Sequence, residues 1–284
     1  MSDPLCFTIA GCTLELRPEG GLEVPPPPAA FSAFRDATDG ERMTLHLAAG
    51  EPPQPKGECL FASLPVWSLH RAGNGMLFEM LAHHPPRRRS LFVARRRGLR
   101  RLWFQGADRD PFAGPALELL FVLHLAEHGG LLLHGCGFAR GGRGLLFLGE
   151  SGAGKSTIAR LLAQEGAGEI VSDDRVILRR DGRGGFLLYG TPWHGEARFA
   201  ARGGVPLAAA FLLRHGREHR KIPLSRPAAV SGLLQCSFAP LWDRGAMAET
   251  LRRFDELAGR VPFFALEFLP DRGVLELLAE APRR

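Results

Sequence analysis

The chain has 284 residues, of which 45% are hydrophobic and 23% are charged. This length allows one large domain or two modest ones with an ample core, and the composition is that of an ordinary globular protein. No apolar run approaches the roughly 20 residues that a membrane-spanning helix needs, so we expect no membrane partner.

The cysteines and the N-terminus favour a cytoplasmic protein. The five cysteines are odd in number, scattered, and contain no C-x-x-C pair, which favours reduced thiols over disulfides or zinc. The first residues show no basic segment followed by an apolar one, so we expect no signal peptide.

The formal net charge is +6, and the excess is concentrated in an arginine cluster at residues 87–89, 95–97 and 100–101. We favour a solvated hairpin here, followed by a surface for an acidic peptide or protein. Nucleic acid is the least favoured partner, because few aromatic residues accompany the arginines and no known nucleic-acid module surrounds them.

Residues 1–110 form a predicted β-rich N-terminal domain, which we expect to be a scaffold or a substrate-docking sheet. Short alternating segments predict strands at residues 7–10, 12–16 and 43–47. Gly73-Asn74-Gly75 predicts a hairpin between residues 66–70 and 76–81. A second hairpin near Gly98 would join residues 91–94 to 102–104.

Residues 111–284 form the second predicted domain, in which helical and strand patterns alternate. A helix is predicted over residues 115–127 because apolar residues recur there with helical spacing. The other predicted elements are strands at 131–138, 144–148, 169–172, 207–213 and 263–269, a hairpin of 176–178 with 186–189, and helices near 157–163, 227–236, 246–258 and 273–280. The fold class is therefore α/β, or α+β for the whole chain.

One stretch carries a specific chemical signal, the pattern G-x-x-x-x-G-K-[ST] between an apolar strand and a helix. It consists of Gly149, Glu150, Ser151, Gly152, Ala153, Gly154, Lys155, Ser156 and Thr157. Its glycines let backbone N–H groups wrap around a phosphate chain at a helix N-terminus. Lys155 would reach the terminal phosphates and Ser156 would bind magnesium, so the pattern predicts a site for ATP and Mg²⁺.

Asp173 and Asp174 follow the next predicted strand. If that strand lies beside the strand of the phosphate-binding pattern, both carboxylates reach the terminal phosphate. One would hold the metal ion, directly or through water, and the other would accept a hydroxyl proton.

Other nucleotide-binding classes fit less well. Residues 231–235 only partly match the signature of transporter ATPases, and the apolar segment 263–267 does not end in an Asp-Glu pair. The guanine-reading Asn-Lys-x-Asp element of GTPases is missing from the sequence.

Three segments together resemble the catalytic domain of HPr kinase/phosphorylase: His134-Gly135, residues 149–156, and residues 172–176. They resemble more closely the HPr kinase-related proteins encoded beside peptide-modifying systems, including lasso-peptide clusters. The resemblance covers about residues 130–196. The N-terminal half departs from the HPr-kinase pattern, which argues against HPr itself as the acceptor.

The resemblance implies an HPr kinase/phosphoenolpyruvate carboxykinase-like core and ATP-dependent transfer to a serine hydroxyl. It implies that Asp173 is the general base, with His134 close to it. It also implies that Asp174 binds the metal together with a downstream glutamate, for which Glu196 is our candidate. A cation facing the terminal phosphate would help, and Arg175 and the basic loop at residues 214–221 are candidates.

The predicted function is a kinase that acts on a serine of a peptide or small protein, and a ribosomal precursor peptide is one candidate. Two alternatives stay open: a kinase of a small hydroxyl-bearing metabolite, and a nucleotide-binding regulatory protein or ATPase. The sequence leaves open the identity of the acceptor, a reverse phosphorylase activity, the formation of a homo-oligomer and the role of the arginine cluster.

Overall fold

A computed structural model of the chain describes residues 5–36, 40–52, 58–83, 86–94, 98–166, 168–196 and 198–279. The chain divides into two compact units, Met1–Phe121 and Val122–Arg284. Each unit contains an eight-stranded sheet, so the predicted combination of a β-rich N-terminal part with an α/β part is confirmed. Among the described residues, no helix combines the length and apolar character needed to cross a bilayer.

The first unit is built on one mixed sheet with the strand order β1-β2-β3-β8-β7-β6-β5-β4. Its strands are Leu5–Ile9 (β1), Cys12–Pro18 (β2), Glu41–Ala49 (β3), Cys59–Ser63 (β4), Trp67–Ala72 (β5), Gly75–His83 (β6), Pro86–Ala94 (β7) and Arg100–Gln105 (β8). The antiparallel pairs β5–β6 and β7–β8 confirm both predicted hairpins. The edge strand β4 and the short helix Ala29–Ser32 (α1) are not among the predicted elements.

The arginine cluster only partly fits a solvated hairpin. Arg89 is buried, and its guanidinium lies 3.3 Å from Asp108 Oδ1. Arg101 donates to Glu19 at 3.0 Å. These two arginines therefore serve the packing of their own sheet, and residues 95–97 lie outside the described residues.

The predicted helix over residues 115–127 is Ala116–His128 (α2), and the division between the units falls inside it. The second unit then contains eight strands and four helices among its described residues. They are Gly130–Arg140 (β9), Arg143–Leu148 (β10), Lys155–Glu165 (α3), Glu169–Ser172 (β11), Arg175–Arg180 (β12), Phe186–Gly190 (β13), Gly204–His215 (β14), Arg220–Pro223 (β15), Arg226–Gln235 (α4), Arg244–Arg260 (α5), Phe263–Phe268 (β16) and Val274–Ala279 (α6).

Strand β10 lies at the centre of this unit and is buried on both faces. Leu146 packs in a hydrophobic cluster that includes Phe254 of α5. Phe147, the next residue, points to the other face and packs in a cluster that includes Ile158 of α3. Burial on both faces explains why this strand is a continuous apolar run without alternation.

The neighbours of β10 differ from the expected arrangement. Strand β10 pairs antiparallel with β9 and parallel with β14. The predicted strand at 169–172 is β11, and it pairs antiparallel with β9 instead of lying beside β10. The strand that leads to Asp173 and Asp174 is therefore separated from β10 by β9.

Candidate functional site: a glycine-rich loop facing an aspartate pair

The glycine-rich loop, residues 149–157, connects β10 to α3 and continues into the first turn of that helix. Gly152 and Gly154 have φ angles of +83° and +102°, a left-handed backbone that side chains rarely adopt. A Cβ on Gly154 would also lie 2.7 Å from the ring of Phe268. The first N–H groups of a helix have no partner within it, so the N-terminus of α3 suits an anion.

Lys155 is the first residue of α3 and is buried. Its Nζ donates to the carbonyl oxygens of Gly149 at 2.7 Å and Glu150 at 2.9 Å, so the side chain folds back across the loop. Burial lowers the pKa of Lys155, and nearby groups that include the Asp174 carboxylate oppose that shift. An anion bound close by would therefore stabilise the charged form of this lysine.

Strand β9 brings the aspartate pair to the loop. Strands β11 and β12 both pair with β9, and Asp173 and Asp174 form the connection between them. The N–H of Gly135 donates to the backbone carbonyl of Asp174 at 2.9 Å. Gly135 also lies opposite Leu148, the last residue before the loop. The aspartates thus reach the loop across one intervening strand.

Asp173 is buried, with 3% of its surface exposed. Its Oδ1 accepts hydrogen bonds from the backbone N–H groups of Gly195 at 3.0 Å and Phe199 at 3.3 Å. A Cβ on Gly195 would lie 3.0 Å from the other carboxylate oxygen, so this close approach favours a glycine. The segment around Gly195 therefore fixes the orientation of the Asp173 carboxylate.

Asp174 lies between two cationic or potentially cationic side chains. Its Oδ1 is 3.1 Å from Nδ1 of His134, and its Oδ2 contacts the guanidinium of Arg175. Burial by itself would raise the pKa of Asp174, but the hydrogen bond from His134 and the charge of Arg175 outweigh it, so the pKa is lowered. We expected His134 close to Asp173; the two residues line the same cavity, and the direct contact of the ring is with Asp174.

A cavity of about 290 Å³ joins the loop to the aspartates. It brings together all residues predicted to be catalytic or metal-binding. Its walls are formed by His134, Ser151, Gly152, Gly154, Lys155, Ser156, Thr157, Asp173, Asp174, Gly195 and Glu196. Glu196 is exposed at the rim. Gly149, Glu150 and Ala153, three other residues of the predicted nucleotide site, line a second cavity instead.

The candidate cations have different positions. Arg175 lies beside Asp174 and above the ring of Phe238. Arg214 lines the second cavity. Lys221 donates to the carbonyl of Leu277, so it has a local structural role.

The residues that hold Asp173 are not among the predicted site residues. Gly195 and Phe199 act through backbone N–H groups, which any residue type except proline can supply. Gly195 lies in the segment 190–196, which combines polar and aromatic residues. That segment also carries His194, whose Nδ1 lies 2.9 Å from the Gly195 carbonyl oxygen.

The fold and site define a mixed α/β protein with a strand–glycine-rich loop–helix unit facing an aspartate pair. The chain belongs to the family described as SynChlorMet cassette protein ScmC, which matches residues 116–268 and thus the whole site. The HPr(Ser) kinase/phosphatase from Coxiella burnetii is similar to 52% of this chain and 93% of its own chain, at 13% identity and a TM-score of 0.30. This likeness is too low to indicate a substrate. A comparison with curated proteins gives no match.

Proposed function

We propose that the protein is an ATP- and Mg²⁺-dependent kinase that transfers the terminal phosphate to a serine hydroxyl of a peptide or small protein. The observation that carries the proposal is the cavity shared by Lys155, Ser156, Asp173 and Asp174. A phosphate-binding loop with acids on the opposite wall meets the two needs of phosphoryl transfer, charge neutralisation and orientation of the acceptor. We place the activity in the cytoplasm, where thiols stay reduced.

The residues present fit a nucleotide and a magnesium ion. The loop offers backbone N–H groups, a buried lysine and two hydroxyls, of Ser156 and Thr157, at the start of a helix. The hard oxygen ligands that magnesium prefers are supplied by Ser156, Asp174 and Glu196 around the same cavity. Magnesium, when bound, neutralises charge on the phosphates.

The two aspartates have different roles in this proposal. Asp174, with its lowered pKa and its contacts to His134 and Arg175, stays ionised and is a weak base. Asp173 is held by two backbone N–H groups through one oxygen. The Asp173 carboxylate is the group that we assign to accept the proton of the serine hydroxyl. His134 orients Asp174 and is a positioning residue.

The test is transfer of label from radiolabelled ATP, with Mg²⁺, to serine-containing peptides encoded beside the gene. We expect label on serine, and none on the same peptides with serine replaced by alanine. Lys155→Met should abolish the transfer. Lys221→Met is the matched control, because that lysine contacts the Leu277 carbonyl and lines neither cavity at the loop.

Other results would contradict the proposal and point to a different class. Label on a small hydroxyl compound but on no peptide would make the protein a metabolite kinase. Binding of ATP with no transfer to any hydroxyl would make it a regulatory nucleotide-binding protein.

A further inference from the structure

A second cavity, of about 370 Å³, lies against the first half of the glycine-rich loop. It shares Ser151 with the first cavity. Its remaining walls are the end of β14, which supplies Arg214 and His215, and helix α4, which supplies Gln235. The two cavities thus meet at the loop and differ in their chemistry, because only the first contains the aspartates.

The strand order places the two cavities on opposite sides of β10. Strand β10 has β9 on one side, which carries His134 and contacts the aspartates, and the parallel strand β14 on the other. In open α/β sheets, ligands bind at the carboxyl ends of parallel strands. If the reacting phosphate lies at Asp173, on the β9 side, the rest of the nucleotide extends from the loop toward β14.

Helix α4 approaches β14 closely enough to form a wall of this cavity. A Cβ on Gly232 would lie 2.2 Å from Cδ1 of Leu212, so a larger residue here would have to displace the Leu212 side chain. Gln235 is three residues later and shares the face of the helix with Gly232. Both residues line the cavity, and the side chain of Gln235 is exposed.

We propose that the second cavity binds the adenine nucleoside of ATP, with Gln235 as the residue that reads the base. This inference rests on the proposed function. A glutamine amide offers a donor and an acceptor side by side, which match the paired acceptor and amino group on an edge of adenine. The planar guanidinium of Arg214 provides a surface on which the base stacks.

The experiment measures the affinity of the full chain for MgATP and for magnesium tripolyphosphate, which lacks a nucleoside. Gln235→Ala should weaken ATP binding about threefold to tenfold, the loss expected for one or two hydrogen bonds, and leave tripolyphosphate binding unchanged. Arg214→Lys keeps the charge but removes the planar surface, and it should show the same selective loss. Gln164→Ala, at an exposed position of α3, is the matched control.

Two results would overturn the assignment while leaving the kinase proposal intact. One is unchanged ATP affinity in both variants. The other is an increased KM for the peptide acceptor alone, which would assign the cavity to the acceptor. If the losses are selective for ATP but no serine is phosphorylated, the nucleoside site stands and the kinase proposal fails. If the chain does not bind ATP, both proposals fail.

Discussion

Replacing Asp173 with asparagine should affect the reaction far more than it affects the stability of the fold. The substitution keeps the shape of a buried side chain and one oxygen that can accept from Gly195 and Phe199. Hydrogen bonds to a charged acceptor are roughly twice as strong as neutral ones, which contribute about 1 kcal/mol each. We therefore expect the free energy of unfolding to fall by about 1–2 kcal/mol.

The effect of Asp173→Asn on the reaction should be much larger. A general base contributes about 100-fold to 10,000-fold, so kcat for serine phosphorylation should fall within that range. Affinity for MgATP should stay within about threefold, because the loop, Lys155 and Ser156 are untouched. Urea denaturation, ATP titration and initial rates with radiolabelled ATP give the three values separately.

A matched control is available on the turn between β12 and β13. Asp181 also uses one carboxylate oxygen to accept two backbone N–H bonds, from Arg183 and Gly185, each at 2.8 Å. Asp181→Asn should leave transfer at the wild-type rate. If Asp173→Asn also transfers phosphate at that rate, Asp173 is not the base. If Asp173→Asn loses ATP binding in parallel with phosphate transfer, Asp173 has a structural role only.

Three further predictions concern the loop and its surroundings. ATP at 100 times its Kd should stabilise the wild-type chain by about 2.7 kcal/mol, which is measured as a rise in Tm. The Tm of the Lys155→Met variant should not change when ATP is added. A similar rise in that variant would exclude Lys155 from the phosphate site. The lowered pKa of Asp174 means that its ionised form stabilises the fold above the ordinary value of 3.8 and that this contribution disappears as the pH falls through the lowered pKa. The difference in unfolding free energy between wild type and Asp174→Asn should therefore shrink in urea titrations at decreasing pH, and a constant difference would contradict the ion-pair explanation. Gly154→Ala should destabilise the fold more than Gly152→Ala, because both residues have positive φ but only a Cβ at residue 154 would contact Phe268. The backbone strain common to both variants is about 1–3 kcal/mol. Equal losses of unfolding free energy in urea denaturation would argue against the steric contribution.

Strong local patterns predicted most of the elements. The run at residues 144–148 is apolar at four of its five positions because β10 is buried on both faces, and α2 shows helical spacing of apolar residues. The glycine signals at residues 73–75 and near 98 identified two hairpins, since a hairpin turn is a property of a few adjacent residues. Strand β4 was missed because it is a short edge strand, largely exposed and without clear alternation.

The aspartate pair shows where sequence reasoning was incomplete. The order of residues along the chain indicated that Asp173 and Asp174 follow a strand, and it favoured a strand beside β10. Pairing between strands depends on contacts between distant segments, and the structure inserts β9 between them. The same topology brings the His134 ring into direct contact with Asp174, in the cavity that also contains Asp173.

By itself, the sequence determined the glycine-rich loop, because a strand, a left-handed turn and a helix start are encoded by neighbouring residues. It also determined which side chains have the chemistry for a phosphate and a metal ion. Only the tertiary structure decided that Lys155 and the aspartates share one cavity, that Gly195 anchors Asp173, and that a second cavity lies beside β14. These relations join residues far apart in the chain, and they follow from strand pairing and packing rather than from any local pattern.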